Sequence, residues 1–229
     1  MQKLTISRLE IFVLSFVLLL TVTGIAGSHI NVDWYDLTYA AEDHFIEWFT
    51  VIPLLITSGL AISYIIKLAL KRSWLFSVCL GFIAVLTFFA AGEEISWGQR
   101  IFNIKSSEWL EKNNAQGETN LHNLKVNGIK VNKIITLVLG IAAGIYIIII
   151  PLLYRYNNKF KQFVNWAGVP VAQLYQIAGI IAVALLHLLI QSNKGKQPEV
   201  FEFGVCFMFL LIVAFPLNRQ AFRSQQPLL

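Results

Sequence analysis

Residues 74–92, WLFSVCLGFIAVLTFFAAG, run without a single charge and lead directly into Glu93-Glu94. A helix needs about 20 residues to cross a hydrocarbon core, and this stretch is that long. Its apolar residues follow one another without the alternation that a membrane β-strand shows. Backbone groups in lipid must be satisfied within the segment, which makes a helix the default. Five further stretches read the same way: 9–27, 44–66, 133–154, 167–190 and 199–217. The chain has 229 residues, 56% hydrophobic and only 14% charged, which is too apolar for a soluble surface. The expected fold is therefore all-α: a polytopic membrane helical bundle of about six transmembrane helices, forming a single transmembrane domain over residues 1–229.

Orientation follows from the basic residues beside the spans. With a cytoplasmic N-terminus, the short cytoplasmic segments hold Lys3, Arg8, Lys67, Lys71, Arg72, Arg155, Lys159, Lys161, Arg219 and Arg223. Both termini then lie in the cytoplasm. The same segments hold one acid, Glu10, whereas the other acids and all four histidines (His29, His44, His122, His187) face the opposite side. Acids contribute little to topology, so their segregation points toward function. The net charge of +5 is spread over helix flanks rather than gathered in one patch, which argues against nucleic acid. Cys79 and Cys206 fall inside apolar spans and indicate no disulfide or CxxC pair. The first span also fits a cleaved signal peptide, although its apolar run exceeds the usual 7–15 residues or so.

Residues 98–132 form an extracytoplasmic loop with room for structure. Ser106 and Ser107 before Glu108-Trp109-Leu110-Glu111 read as the N-cap of an interfacial helix. Asn127-Gly128, between alternating residues, reads as the type I′ turn of a small hairpin. Trp34, Trp48, Trp97 and Trp109 are expected at the outer interface and Trp74 and Trp166 at the inner one, with kinks at Pro53 and Pro170.

Four clusters carry candidate chemistry. The first is Asp33, Trp34, Asp36, Glu42, Asp43, His44 and Glu47, where His44 and Glu47 share a helical face suited to a metal. Glu42 and Asp43 also suit a helix N-terminus for its dipole alone. The second is Glu93-Glu94, two acids at the unfavourable end of a helix dipole, which calls for a compensating cation. Arg100, seven residues after Glu93, is near the same azimuth if the helix continues. The third is Glu118, Asn120 and His122, which point one way if that segment is extended. The fourth is His187 with Glu199 and Glu202. A membrane histidine also serves as an interhelical hydrogen-bonding residue.

Two families share parts of this pattern. Asp33-Trp34-Tyr35-Asp36-Leu37-Thr38-Tyr39 through Glu47-Trp48-Phe49-Thr50 resembles the N-terminal block of alkaline ceramidases, in the superfamily of membrane hydrolases that includes adiponectin receptors. That resemblance implies a calcium held by Asp33, Trp34, Asp36 and Glu47 beside a zinc-dependent hydrolytic site. Glu93-Glu94 with Arg100 and the later histidines resembles the EExxxR pattern of CAAX-type glutamic proteases, here with five residues between Glu94 and Arg100. GEEISWGQR followed by GETNLHN also resembles uncharacterised bacterial polytopic membrane proteins, which implies a bacterial inner membrane and no particular activity.

The leading expectation is a membrane-embedded, metal-dependent hydrolase acting on a lipid or lipid-linked substrate. Glu93, Glu94 and Arg100 are the catalytic candidates, with Glu94 as general base and Arg100 on the oxyanion. His44, Glu47, His122, His187 and Glu202 are the candidate ligands of a divalent metal, zinc or calcium. A metal-free glutamic hydrolase, a transporter or cation-binding protein, and a non-catalytic scaffold are the alternatives. Membrane lipids are the expected partners.

Overall fold

A computed structural model describes residues 6–42, 44–121, 123–126 and 129–223. The chain is a predominantly helical integral membrane bundle, and among the described residues five helices are long and apolar enough to cross a membrane. Four of these are α1 (Arg8–Ile30), α3 (Phe45–Leu68, continuing in a turn to Lys71), α4 (Trp74–Glu94) and α11 (Gln197–Ala214). The fifth is Leu137–Tyr156, made of α7 (Val131–Gly144), a π turn over Ile145–Ile149, and α8 (Ile150–Tyr156). Phe82, Val85, Ile66 and Ile148 are largely exposed on these helices, which suits lipid and would be costly in water.

The shorter elements sit at the ends. Val32–Trp34 (α2) runs into a π turn, Gln99–Phe102 (α5) and Glu108–Asn113 (α6) lie in the long loop, and Asn158–Ala167 (α9) follows α8. The cap of α6 is Ser107, whose hydroxyl accepts from Leu110 N at 3.4 Å. Strands β1 (Lys125–Val126) and β2 (Ile129–Lys130) pair antiparallel, Val126 with Ile129 and Lys125 with Lys130. The turn residues Asn127 and Gly128 lie outside the described residues, as do Asp43 and His122.

The centre of the bundle is α3, which packs on α4 along one side and on α11 along the other. An aromatic cluster joins α1, α3 and α11: Phe16 meets Phe49 at 5.2 Å and Phe207 at 5.6 Å, and Phe203 meets Phe207 at 5.2 Å. Lipid tails are as apolar as leucine, so helices in a membrane associate through close packing and internal hydrogen bonds. Ser58 supplies such a bond, its hydroxyl donating to the Ala84 carbonyl at 2.9 Å between α3 and α4. Gly204 lets α11 approach α10 (Leu174–Leu186), since a Cβ at Gly204 would lie 2.5 Å from Val183 Cγ1.

The expected helix 167–190 is shorter in the structure, because 168–173 are irregular and α10 begins at Leu174. Gly168, left-handed at φ 68°, ends α9, and Pro170 has no N–H to give a helix. Pro170 thus breaks the helix rather than kinking it. Irregular backbone at this depth persists only when its polar groups are satisfied by protein. Asn218 supplies two of the bonds that do so: its Oδ1 accepts from Val171 N at 3.0 Å and its Nδ2 donates to Val169 O at 2.9 Å. Tyr146 donates to Pro170 O at 2.6 Å, and Leu217 N to Val171 O at 2.7 Å.

At this same end Glu10 is wholly buried. It closes a capping box with Ser7, accepts from the Tyr175 hydroxyl, and pairs with Arg219 at 2.9 Å. Replacing Asn218 by Ala leaves two buried backbone groups unpartnered, each costing about 1–3 kcal/mol. We expect Asn218→Ala to lose about 2–4 kcal/mol on that basis, read as a lower unfolding temperature in detergent. An unchanged temperature would show that Asn218 does not hold the irregular segment.

Candidate active site

The long loop returns to the bundle because α4 does not continue past Glu94. Ser96, Trp97 and Gly98 adopt positive φ of 46°, 55° and 74°, and the chain reverses. Two such non-glycine residues in succession are strained, and persist only where surrounding contacts hold them. Those contacts come from Glu93, which accepts from Trp97 Nε1 at 2.8 Å and from Leu121 N at 2.6 Å. Gly92 leaves room for the Trp97 ring, whose nearest carbon would lie 2.9 Å from a Cβ placed there. Arg100 therefore does not share a helical azimuth with Glu93. It reaches the site through the turn.

Once there, Arg100 is bound by two carboxylates: Nη2 lies 3.1 Å from Glu47 Oε1, and Nη1 donates to Glu118. Glu118 also accepts from the Ser96 hydroxyl and from Asn120 Nδ2, each at 2.9 Å. Asn120 in turn donates to Ser96 Oγ at 2.8 Å, and both are buried. The Asn114 side-chain amide bridges to Asn120 at 3.0 Å, and Thr119 N donates to Gln99 Oε1 at 2.6 Å. The polar string 114–120 is thus folded onto the end of α4, with α3 contributing Glu47.

A second strap closes the other side. Lys196 Nζ lies 3.1 Å from Glu42 and 3.2 Å from Glu199, tying the entry of α3 to the start of α11. Gln116 adds a bond to Glu42 at 2.6 Å. Burial opposes the charge of Glu42, yet the hydrogen bond and charge of Lys196 outweigh it and hold this carboxyl below its ordinary range. For Lys196, burial again opposes charge, and Glu199 and Glu42 together raise its ammonium above the ordinary lysine value. The loop carrying Lys196 is set by Asp36, which accepts from the Ser192 hydroxyl and from Asn193 N and Lys194 N at 2.8 and 3.1 Å.

These elements enclose an open cavity of about 580 Å³ measured out to its mouth. Its walls carry Glu42, Glu47, Glu93, Glu94, Glu118, Glu199 and Glu202 against two cations, Arg100 and Lys196. Gln116, Asn120 and Asn123 complete the lining. Five of the seven glutamates have donors described above. Glu94 and Glu202, from α4 and α11, accept no hydrogen bond and join no ion pair among the described residues, although they interact electrostatically with other glutamates.

The structure thus brings Glu93, Glu94, Arg100, Glu47 and Glu202 to one cavity. It does not bring the described histidines there. His44 is exposed, with Nδ1 2.7 Å from Glu42 O, and the ring of His187 packs 5.1 Å from that of Phe201. The Nδ1 of His187 is buried without a partner among the described residues. Among the described residues no three histidine, cysteine, aspartate or glutamate side chains are grouped to hold a metal ion. The block resembling a calcium site is also divided. Asp33 is exposed, Trp34 packs over Gly27, Asp36 holds the 192–194 backbone, and only Glu47 faces the cavity. Lys196 and Gln116 were not anticipated. For Lys196 the available signal was a base, two residues after Lys194 and three before Glu199, just ahead of a helix start.

These features define a class: an integral membrane helical bundle with an acidic, cation-strapped cavity at one end. Compared with family models, curated proteins and solved structures, the chain matches none.

Two measurements check the site. Arg100→Met leaves Glu47 and Glu118 facing each other; full burial of such a broken pair costs about 3–5 kcal/mol, and partial exposure brings the expected loss to about 2–3 kcal/mol. Chemical unfolding in detergent reads that loss. For the strap, the lowered Glu42 contributes stability above its ordinary value of 4.5 that is lost as pH falls through its folded value. Glu42→Gln is therefore expected to cost up to about 1 kcal/mol near neutrality and nothing once pH has fallen below the folded value of Glu42. A pH-independent deficit in thermal stability would contradict the strap.

Proposed function

We propose that this protein is a membrane-embedded hydrolase acting on a lipid or lipid-linked substrate, with Glu94 and Glu202 as its acid–base pair. One observation carries the reading: these are the two cavity glutamates that accept no hydrogen bond and join no ion pair among the described residues. The other five are held in place by Arg100, Lys196, Ser96, Trp97, Gln116, Asn120 and the Leu121 backbone N–H. Held carboxylates build the cavity, and unengaged ones exchange protons. Glu94 takes a proton from the attacking water, and Glu202 gives one to the leaving group. Arg100 and Lys196 place positive charge where an oxyanion develops.

The described lining offers carboxylate and amide oxygens but no histidine. Such a set suits a hard divalent cation such as calcium better than zinc. A cation held by Glu94 and Glu202 would take the place of their proton exchange, and it would supply polarisation of the water instead.

In this reading α10 and the turn to Leu189 complete a sixth crossing, both termini are cytoplasmic, and the cavity opens on the outer face of a bacterial inner membrane. Lys67, Lys71, Arg72, Arg155, Lys159 and Lys161 support that orientation. Cation binding or transport is a second reading, favoured separately by seven glutamates against two bases at the cavity.

Purified protein in liposomes of bacterial lipid extract, supplied with ¹⁸O-water, is expected to release products carrying the label. Glu94→Gln and Glu202→Gln should each reduce release by roughly 100-fold or more, the scale of lost acid–base catalysis. Unlabelled lipid with native protein, together with saturable calcium uptake into the same liposomes, would replace hydrolysis by the second reading.

A further inference from the structure

At the end of the bundle opposite the cavity, we infer that α9 with the last turn of α8 is a docking surface for anionic phospholipid headgroups. The placement of α9 is set locally. Asn157 is extended (φ −125°, ψ 107°), breaks the helix axis after α8, and caps α9 by accepting from Phe160 N at 3.0 Å. Val164 and Ala167 are buried, Val164 in a cluster with Tyr154 and Val171. The Ser73 hydroxyl donates to the Trp166 carbonyl, anchoring α9 beside the start of α4. Gly168 seats this junction, because a Cβ there would lie 2.2 Å from the Phe76 ring.

The other side of α9 is exposed and mixed in character. Lys159, Lys161, Gln162, Phe163 and Trp166 all face outward, and the Phe163 and Trp166 rings lie 6.2 Å apart. Cationic and large aromatic residues together on one outward face mark a helix that lies in a membrane interface. Neighbours at the same end continue the pattern: Trp74, Tyr156 and Leu70 are exposed at 70%, 83% and 104%. These apolar groups stand where α4 and α8 enter the hydrocarbon, at headgroup height. An acidic soluble partner would have no use for them there, whereas a lipid leaflet covers them.

Charge selects the lipid. Arg155, Lys159 and Lys161 are exposed and join no ion pair among the described residues, with Lys161 Nζ held 5.5 Å over the Tyr154 ring. The one described acid at this end is Glu10, which is wholly buried and engaged by Tyr175 and Arg219. No exposed carboxylate of the described protein therefore competes with a phosphate for these bases. Basic residues at a membrane surface attract anionic lipid several-fold each, and salt weakens the attraction.

The test uses the full chain in phosphatidylcholine bilayers containing spin-labelled phosphatidylglycerol or spin-labelled phosphatidylcholine. The motionally restricted fraction of each label gives the selectivity. The expected result is a preference for the glycerol lipid that falls by roughly tenfold in Arg155→Gln/Lys159→Gln/Lys161→Gln. It is also expected to fall for the native protein as sodium chloride rises from roughly 50 to 500 mM. A control, Lys105→Gln/Lys112→Gln/Lys125→Gln at the cavity end, should retain the preference. Equal selectivity in the first variant and the native protein, or a preference indifferent to salt, overturns the proposal. So does a control variant that loses as much as the first.

Discussion

The guanidinium of Arg100 lies between Glu47 of α3 and Glu118 of the long loop, and the cavity end of the bundle depends on that placement. The three charges come from segments far apart in the chain, and each alone would be costly at the edge of a hydrocarbon layer. Together they share one compensated arrangement. For Arg100 to be there, α4 must stop at Glu94 and the chain must reverse through Ser96, Trp97 and Gly98. Glu93 is consequently engaged in holding that reversal, through Trp97 and Leu121 N. Two adjacent acids at a helix end thus divide into different roles: Glu93 secures the turn, and Glu94 faces the cavity.

The same constraint operates at the opposite end with different residues. Polar groups at the margin of a bilayer are satisfied by protein, because lipid offers them nothing. Asn218 satisfies Val169 O and Val171 N, and Tyr175 and Arg219 satisfy Glu10. These bonds hold the segment following α11 against α1 and α10. The two ends differ in what remains over. At one, two carboxylates face an open cavity; at the other, exposed lysines and aromatics face outward beside spans.

Much of the fold could be read locally. A chargeless run such as 74–92 has one stable solution in lipid, and the Ser107 cap before Glu108 follows from side-chain chemistry within three residues. Where the reading fell short, the cause was a longer-range bond. Residues 167–173 are apolar enough for a helix, and the partner that makes an irregular path tolerable is Asn218, nearly 50 positions away. The site divides similarly. Glu47, Glu93, Glu94, Arg100 and Glu202 drew attention as charges in costly places, whereas Lys196 and Ser96 are ordinary until their partners are known. Histidines were grouped because they share a side of the membrane, but His44 and His187 point into different surroundings.

By itself, then, the sequence determined the solvent, the helical class and the segregation of acids to one end. Those follow from composition and from the free energy of each residue in lipid, which depend on no distant contact. Only the tertiary structure decided which acids are engaged and which are not. Engagement depends on a donor within about 3 Å, and the donors come from the 96–121 loop and the 191–196 loop, brought against the acids by packing that no local pattern encodes.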